Sequence, residues 1–256
     1  MFSVLVLFLL ASIGIQAFIH FTSGEEEAQP FFSHANFTRY EQFYFYTEGD
    51  ILIEKTGVDV SDHQGQIDWD RVAKNHINFA FIRAGYRGST EGDLFEDEYF
   101  SYNLKNAQAA GIECGIYFFS QALNEQEARE EAEFVLELLD GAKLEYPVVF
   151  DFEIAAMGIT SRVADLTNEE ASAIAQTFCE SIEAAGYKAM LYGNGYDLAR
   201  YSEDLLERYP IWYAEYGALP AYTSEYSIWQ YGNEGHIDGI ETIVDLNLDL
   251  SQMLEE

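Results

Sequence analysis

From residue 57 onward, β-prone runs alternate with helix-like ones. Eight strand candidates fall within about 200 residues, and the helix-like runs thin out toward the end. These observations predict an α/β fold: an irregular TIM-like (β/α) barrel with helices missing in the last third, preceded by an N-terminal hydrophobic helix and a linker. The sheet is expected to be parallel with right-handed crossovers. A doubly wound open sheet is the second reading, weakened because no G-x-G-x-x-G follows the first strand.

The elements follow in chain order. Residues 1–24 carry no charged side chain, and residues 2–21 (FSVLVLFLLASIGIQAFIHF) are almost wholly apolar. About 20 such residues span a hydrocarbon core as a helix, so the segment reads as a single transmembrane anchor. The alternative is a signal peptide cleaved near Ile15-Gln16-Ala17. Either puts the rest of the chain outside the cytoplasm, membrane-anchored or secreted. Residues 25–56 read as a linker that opens on an acidic, Pro-containing stretch. Within it, two apolar runs (43–46 and 51–53) around Gly49-Asp50 predict a short hairpin or a strap over the main domain.

The main domain, residues 57–256, begins with strand GVDVS (57–61), helix-like DWDRVAKNH (68–76) and strand NFAFIRAGY (78–86). A helix over about 98–110 is closed by Gly111, and strand IECGIYFFS (112–120) follows. An acidic helix runs to Gly141, then strand YPVVFDFE (146–153). The next helix opens on Thr167 with Glu170 three residues on, a capping box. KAMLYGN, IWYAEY, YSIWQYG and TIVDLN supply the remaining strand candidates.

Charge narrows the partners. The 13 basic residues against 45 acidic ones leave a net charge of -32. Nucleic-acid binding needs clustered cations, and none are present. Docking on an anionic membrane surface or polymer is disfavoured for the same reason. A substrate gripped by local chemistry is favoured, taken by a chain acting as a monomer. Two cysteines, Cys114 and Cys179, exclude a disulfide-dense scaffold and a four-thiolate zinc site. Both sit in apolar runs, so two buried free thiols are expected, with one disulfide as the alternative.

Several acids close apolar strands. Asp59 lies between valines, Asp151 and Glu153 end the run VVFDFE, and Asp245 sits in IVDLN. Alternation puts Asp151 and Glu153 on one face of their strand, with Phe150 and Phe152 on the other. In a barrel the phenylalanines pack outward on helices and the acids point inward near the mouth. Burying like charges together is costly, so a sequence serving stability alone would place Leu or Val there. Grouped carboxyls raise at least one pKa, giving an acid beside anions that stabilise positive charge. That pairing is what glycoside hydrolysis requires. Tyr86, Tyr117, Trp212, Tyr216, Trp229 and Tyr231 lie in or just after strand candidates, where rings stack on sugar faces.

The run Gly57-Val58-Asp59-Val60-Ser61-Asp62-His63-Gln64-Gly65-Gln66-Ile67-Asp68-Trp69 resembles the opening motif of glycoside hydrolase family 25 lysozymes. Further matches keep the family's order: FIRA (81–84), GIYFF (115–119), PVVFDFE (147–153), IWYAEY (211–216), WQY (229–231), Gly239-Ile240 and VDLN (244–247). The resemblance implies a barrel-like fold and hydrolysis of the β-1,4 bond between N-acetylmuramic acid and N-acetylglucosamine in peptidoglycan, with no cofactor. It implies that Glu153 is the general acid, and that Asp151 stabilises the oxocarbenium-like intermediate or orients the substrate's 2-acetamido group. Asp59 and Asp245 correspond to the family's other cleft aspartates. Tyr117, Trp212, Tyr216 and Trp229 match positions near the glycan groove, and Tyr86 is expected beside them. One departure is Phe118, where members often carry histidine.

Two other functions fit parts of the pattern. Asp59, Asp62, His63, Asp151 and Glu153 could hold a metal in a polysaccharide deacetylase, although adjacent strand residues point to opposite faces. A non-catalytic glycan-binding barrel is the third possibility, and the four retained acids weigh against it.

Overall fold

The computed structural model describes residues 28–153 and 162–254. The apolar segment 1–24, expected to be an anchor or signal, lies outside the described residues. No helix among the described residues is long and apolar enough to cross a membrane.

Three short antiparallel strands come first: β1 (Phe37–Tyr40), β2 (Phe43–Glu48) and β3 (Ile51–Ile53). The β2–β3 turn passes through Gly49 at φ +58°, a left-handed conformation that glycine adopts without steric cost. Alternate residues Tyr44 and Tyr46 face the main domain. Tyr44 packs on Trp229 at 4.8 Å between ring centroids, and Tyr46 contacts Phe37 at the same distance. Three polar contacts fasten this layer. The Phe31 amide donates to Tyr222 O at 2.9 Å, and the His34 ring meets Pro220 O at 2.9 Å. The Gln42 amide exchanges two hydrogen bonds with the His236 backbone.

The main domain is an eight-stranded closed barrel. Its strands are β4 (Thr56–Val60), β5 (Ile77–Arg87), β7 (Glu113–Phe119), β8 (Val148–Asp151), β9 (Ala189–Gly193), β10 (Ile211–Ala214), β11 (Ile228–Gly235) and β12 (Val244–Asp249). A short β6 (Leu94–Glu96) pairs antiparallel with the end of β5. Neighbours run β4-β12-β11-β10-β9-β8-β7-β5, and the β4–β5 pairing shuts the ring. Closure overturns the open doubly wound alternative. The pairs from β4 through β5, β7, β8, β9 and β10 to β11 are parallel.

β12 departs from the expected parallel sheet, because it runs antiparallel to both β11 and β4. A parallel crossover needs a dozen or more residues and usually a helix, whereas residues 236–243 form a short helix-free connection. The consequence is functional. Asp245 sits near the start of β12, yet pairs across from Asp59 at the end of β4. Reversal brings it to the same rim as the other acids.

Helices α1 (Trp69–Val72), α2 (Phe100–Ala109), α3 (Glu125–Leu139) and α4 (Asn168–Ala184) cover the barrel, with short α5 (Gly195–Leu198) and α6 (Glu203–Arg208) after β9. The Thr167/Glu170 capping box starts α4, and Asn124 caps α3 by accepting from the Glu127 amide. Ala171, Ile174, Ala175, Phe178 and Ile182 form the buried stripe of α4. Against it lie Phe118 and Phe150, at 6.5 Å and 5.0 Å from the Phe178 ring. The position where relatives often carry histidine therefore lies in this apolar layer, away from the acids. Cys114 and Cys179 are free, buried thiols, and burial pushes Cys114 up to about 12.

Phe79, Phe81, Val149, Met190, Trp212 and Ile228 fill the barrel interior. Gly57 makes room for this plug: a Cβ there would stand 2.4 Å from the Phe79 ring. Gly57→Ala is therefore expected to lower stability by about 1–3 kcal/mol, measured by urea unfolding. An unchanged midpoint would contradict the tight interior packing.

Candidate active site

Three strands deliver four acids to one rim. Asp59 comes from β4, Asp151 from the end of β8, Glu153 from just past β8, and Asp245 from β12. Asp151 and Glu153 lie within hydrogen-bonding reach of each other, as do Asp59 and Asp245. The two pairs also sense each other's charge, Asp59 acting on both Asp151 and Glu153.

An amide network holds Asp59. Its Oδ2 accepts from Gln230 Nε2 at 2.9 Å and Asn247 Nδ2 at 2.7 Å. Asn247 Oδ1 accepts from Trp212 Nε1 at 2.8 Å. Gln230 Oε1 accepts from the hydroxyls of Tyr192 at 2.7 Å and Tyr216 at 2.5 Å. Both amides are thereby locked in the orientation that presents N–H to Asp59. Burial nonetheless raises Asp59, opposed by these donors and by Asp245. Asp245 rises to about 9 through burial and the charge of Asp59, so this pair shares a proton near neutrality.

The second pair behaves differently. Burial and then the charge of Asp197 push Glu153 to about 7. Burial, Glu153 and Asp197 push Asp151 well above the usual carboxylate range. Asp151 Oδ1 is buried with no hydrogen-bond partner among the described residues.

Asp197 is a fifth acid that the sequence reading missed. It lies on α5 behind the N-cap Asn194, whose Nδ2 donates to it at 2.6 Å. The signal was the Asn194-x-x-Asp197 cap directly after a strand end. Gln230 and Asn247 were also missed, although period-2 alternation from Ile228 and Asp245 puts both on the inner face.

The aromatic residues divide. Tyr117 is partly buried among the acids, and Tyr216, 43% exposed, stands at the rim. Trp212 is 2% exposed and stacks on Phe81 at 4.5 Å, so it is the floor under the acids rather than an open sugar platform. Trp229 faces outward. It is fully buried beneath β1 and β2 against Phe37 and Tyr44, with Nε1 donating to Glu215 O at 3.1 Å. No sugar in the groove can reach it, because the inner neighbour in the strand is Gln230. Tyr86 stacks on Phe95 beside a cavity of about 650 Å³ that also meets Arg83 and Phe119. Arg83 ties the loop after β4 to β5 by donating to Asp62 at 2.5 Å and Asp97 at 2.8 Å.

His63 is 78% exposed at its side chain and leans on Asp62 at 3.5 Å. Among the described residues no group of three or more His, Cys, Asp or Glu side chains is arranged to hold a metal ion.

A closed α/β barrel with two buried carboxyl pairs at its strand-end mouth is an architecture that suits a glycoside hydrolase. The chain belongs to the glycosyl hydrolases family 25, whose family model matches residues 58–240. It is 28% identical to Lysozyme M1 of Streptomyces globisporus over 207 residues, covering 75% of this chain and 66% of that protein. A family 25 glycosyl hydrolase from Bacillus anthracis superposes with a TM-score of 0.66 at 28% identity, over 82% of this chain and 94% of that one. The autolysin LytC from Streptococcus pneumoniae, solved with a synthetic peptidoglycan ligand, shares the fold at a TM-score of 0.66 and 24% identity. That match covers 83% of this chain and 52% of LytC, so the chain spans about half of LytC's length.

The raised carboxyls link stability to pH. Unfolded carboxyls titrate near about 4, so between that pH and the folded values the native state binds extra protons. Stability is then greatest at mildly acidic pH and falls as pH rises through about 7 for Glu153 and about 9 for Asp245. Thermal unfolding from pH 5 to 9 is expected to follow this decline, and Asp245→Asn to flatten it. An equally steep decline in the variant would argue against a proton held at Asp245.

Proposed function

We propose that this protein is an extracytoplasmic muramidase that cleaves the β-1,4 bond between N-acetylmuramic acid and N-acetylglucosamine in peptidoglycan. The observation that carries the reading is the Asp151–Glu153 pair, which shares a proton near neutral pH and leaves one buried Asp151 oxygen without a partner among the described residues. All four acids come from one chain, which supports action as a monomer. Family membership supports the reaction class.

The chemistry follows from the pair. Substrate entry brings a 2-acetamido N–H to the open Asp151 oxygen. A donor on the carboxylate favours its ionised form, so the pair's proton is kept on Glu153. Glu153 then protonates the leaving glycosidic oxygen as the C–O bond breaks, and its carboxylate takes a proton from the water that adds to the anomeric carbon, which restores the acid. The ionised Asp151 stabilises the positive charge developing on the sugar ring, or holds the acetamido group in place. Asp59 and Asp245 set the negative potential of the cleft. Tyr117 and Tyr216 line the groove, with Tyr86 and Phe95 extending it on one side, while Trp212 supports from beneath.

Glu153→Gln is expected to abolish release of reducing ends from peptidoglycan while leaving the unfolding midpoint within about 1 kcal/mol of the parent. Full activity in that variant would refute the assignment. For Asp151→Asn the same assay should record a loss on the order of 10² or more. The rate should fall as pH rises through about 7, where Glu153 loses its proton. A rate still rising above pH 8 would require a different acid.

A further inference from the structure

The N-terminal sheet lies outside the span matched by the family, residues 58–240, yet it does more than cover β11. It walls a rim cavity of about 460 Å³ with Tyr216 at its lip. Arg39, Gln42 and Tyr44 come from β1, β2 and the turn between them, and Tyr231 and Glu234 from β11. The cavity is one side chain away from the acids: Tyr216 donates to Gln230, and Gln230 donates to Asp59. A substrate extending out of the mouth past Tyr216 meets it directly.

Arg39 is the unusual member. Its guanidinium lies over the Tyr44 ring at 5.4 Å, and its Nε donates to Glu41 O at 3.0 Å. Arg71, Arg83, Arg87, Arg162 and Arg208 each sit on a carboxylate. Among the described residues Arg39, like Arg129 and Arg200, makes no such ion pair, although Glu234 lines the same cavity as Arg39 and the chain holds 45 acids. A backed cation left without an internal anion, facing a cavity of ligand size, is complementary to an anionic group brought by the substrate.

We infer that this rim cavity is an accessory subsite for a stem peptide of the glycan strand, with Arg39 binding a peptide carboxylate and the rings of Tyr44 and Tyr216 forming the apolar walls. The inference rests on the peptidoglycan reading above. Opposite charges at Arg39 and Glu234 suit a peptide that carries both an ammonium and carboxylates. The cation also offsets, at the point of contact, the repulsion that a net charge of -32 exerts on an anionic polymer.

The test is co-sedimentation of the full chain with insoluble peptidoglycan, in a Glu153→Gln background so that nothing is cleaved. The polymer is used native and with its peptide carboxylates converted to amides. Arg39→Gln is expected to weaken binding to native polymer about fivefold to tenfold and to leave binding to amidated polymer unchanged. Lys74→Gln alters the net charge equally at an exposed position away from the cavity, and should leave both affinities unchanged. Arg39→Lys should recover part of the loss. Equal affinities of parent and Arg39→Gln on native polymer would overturn the subsite, as would an equal loss on amidated polymer, which would point to phosphate or to a structural effect. Reducing-end release by the unmodified protein is scored separately, so failure of the hydrolase reading and failure of the subsite give different results.

Discussion

Burying carboxyl groups against one another is the constraint around which this molecule is organised. A lone ionised carboxylate in a closed barrel would cost several kcal/mol, and like charges nearby make it worse. The protein meets that cost with fixed amide donors and shared protons rather than with cations. Asp59 receives Gln230 and Asn247, which are held by Tyr192, Tyr216 and Trp212. Asp245 leans on Asp59, and Asp151 on Glu153, each pair keeping a proton that burial and repulsion will not release at ordinary acidity. Barrel closure and the reversed β12 follow the same logic, since only that arrangement sets Asp245 opposite Asp59.

Cations are spent elsewhere, mainly to fix loops around the mouth. Arg83 joins Asp62 and Asp97, while Arg87 bonds to Glu131, which also accepts from Ser120. Arg162 reaches Glu127 and the Gln121 carbonyl. Each of these arginines is largely withdrawn from solvent, with side-chain exposure of 14% or less. The rim that carries the four acids is therefore left strongly electronegative. That suits a reaction whose transition state is positive, and it gives the cation on the N-terminal sheet its significance.

That sheet also shows how a peripheral segment can become part of a groove. Its apolar face is bound to β11 through Trp229, and its polar contacts reach Pro220, Tyr222 and His236. Trp229 is buried beneath it, and Tyr44 and Arg39 line the cavity at the rim.

Much was legible in the chain itself. Alternating β-prone and helical runs dictated a barrel-type α/β fold, because each strand and helix must bury one face. Period-2 alternation sent Phe150 and Phe152 outward and their acidic neighbours inward. The spacing of Asp59, Asp151, Glu153 and Asp245 against apolar strands pointed to one chemistry. Tertiary structure alone decided the direction of β12, which depends on the length of a connection and on the ring needing to close. It likewise decided which rings face the barrel interior, because Trp212 and Trp229 carry similar local patterns but lie on opposite faces of the barrel wall. It brought in Asp197 from a helix cap. A pKa depends on which charges lie a few ångströms away, and adjacency in space is not written into any one segment.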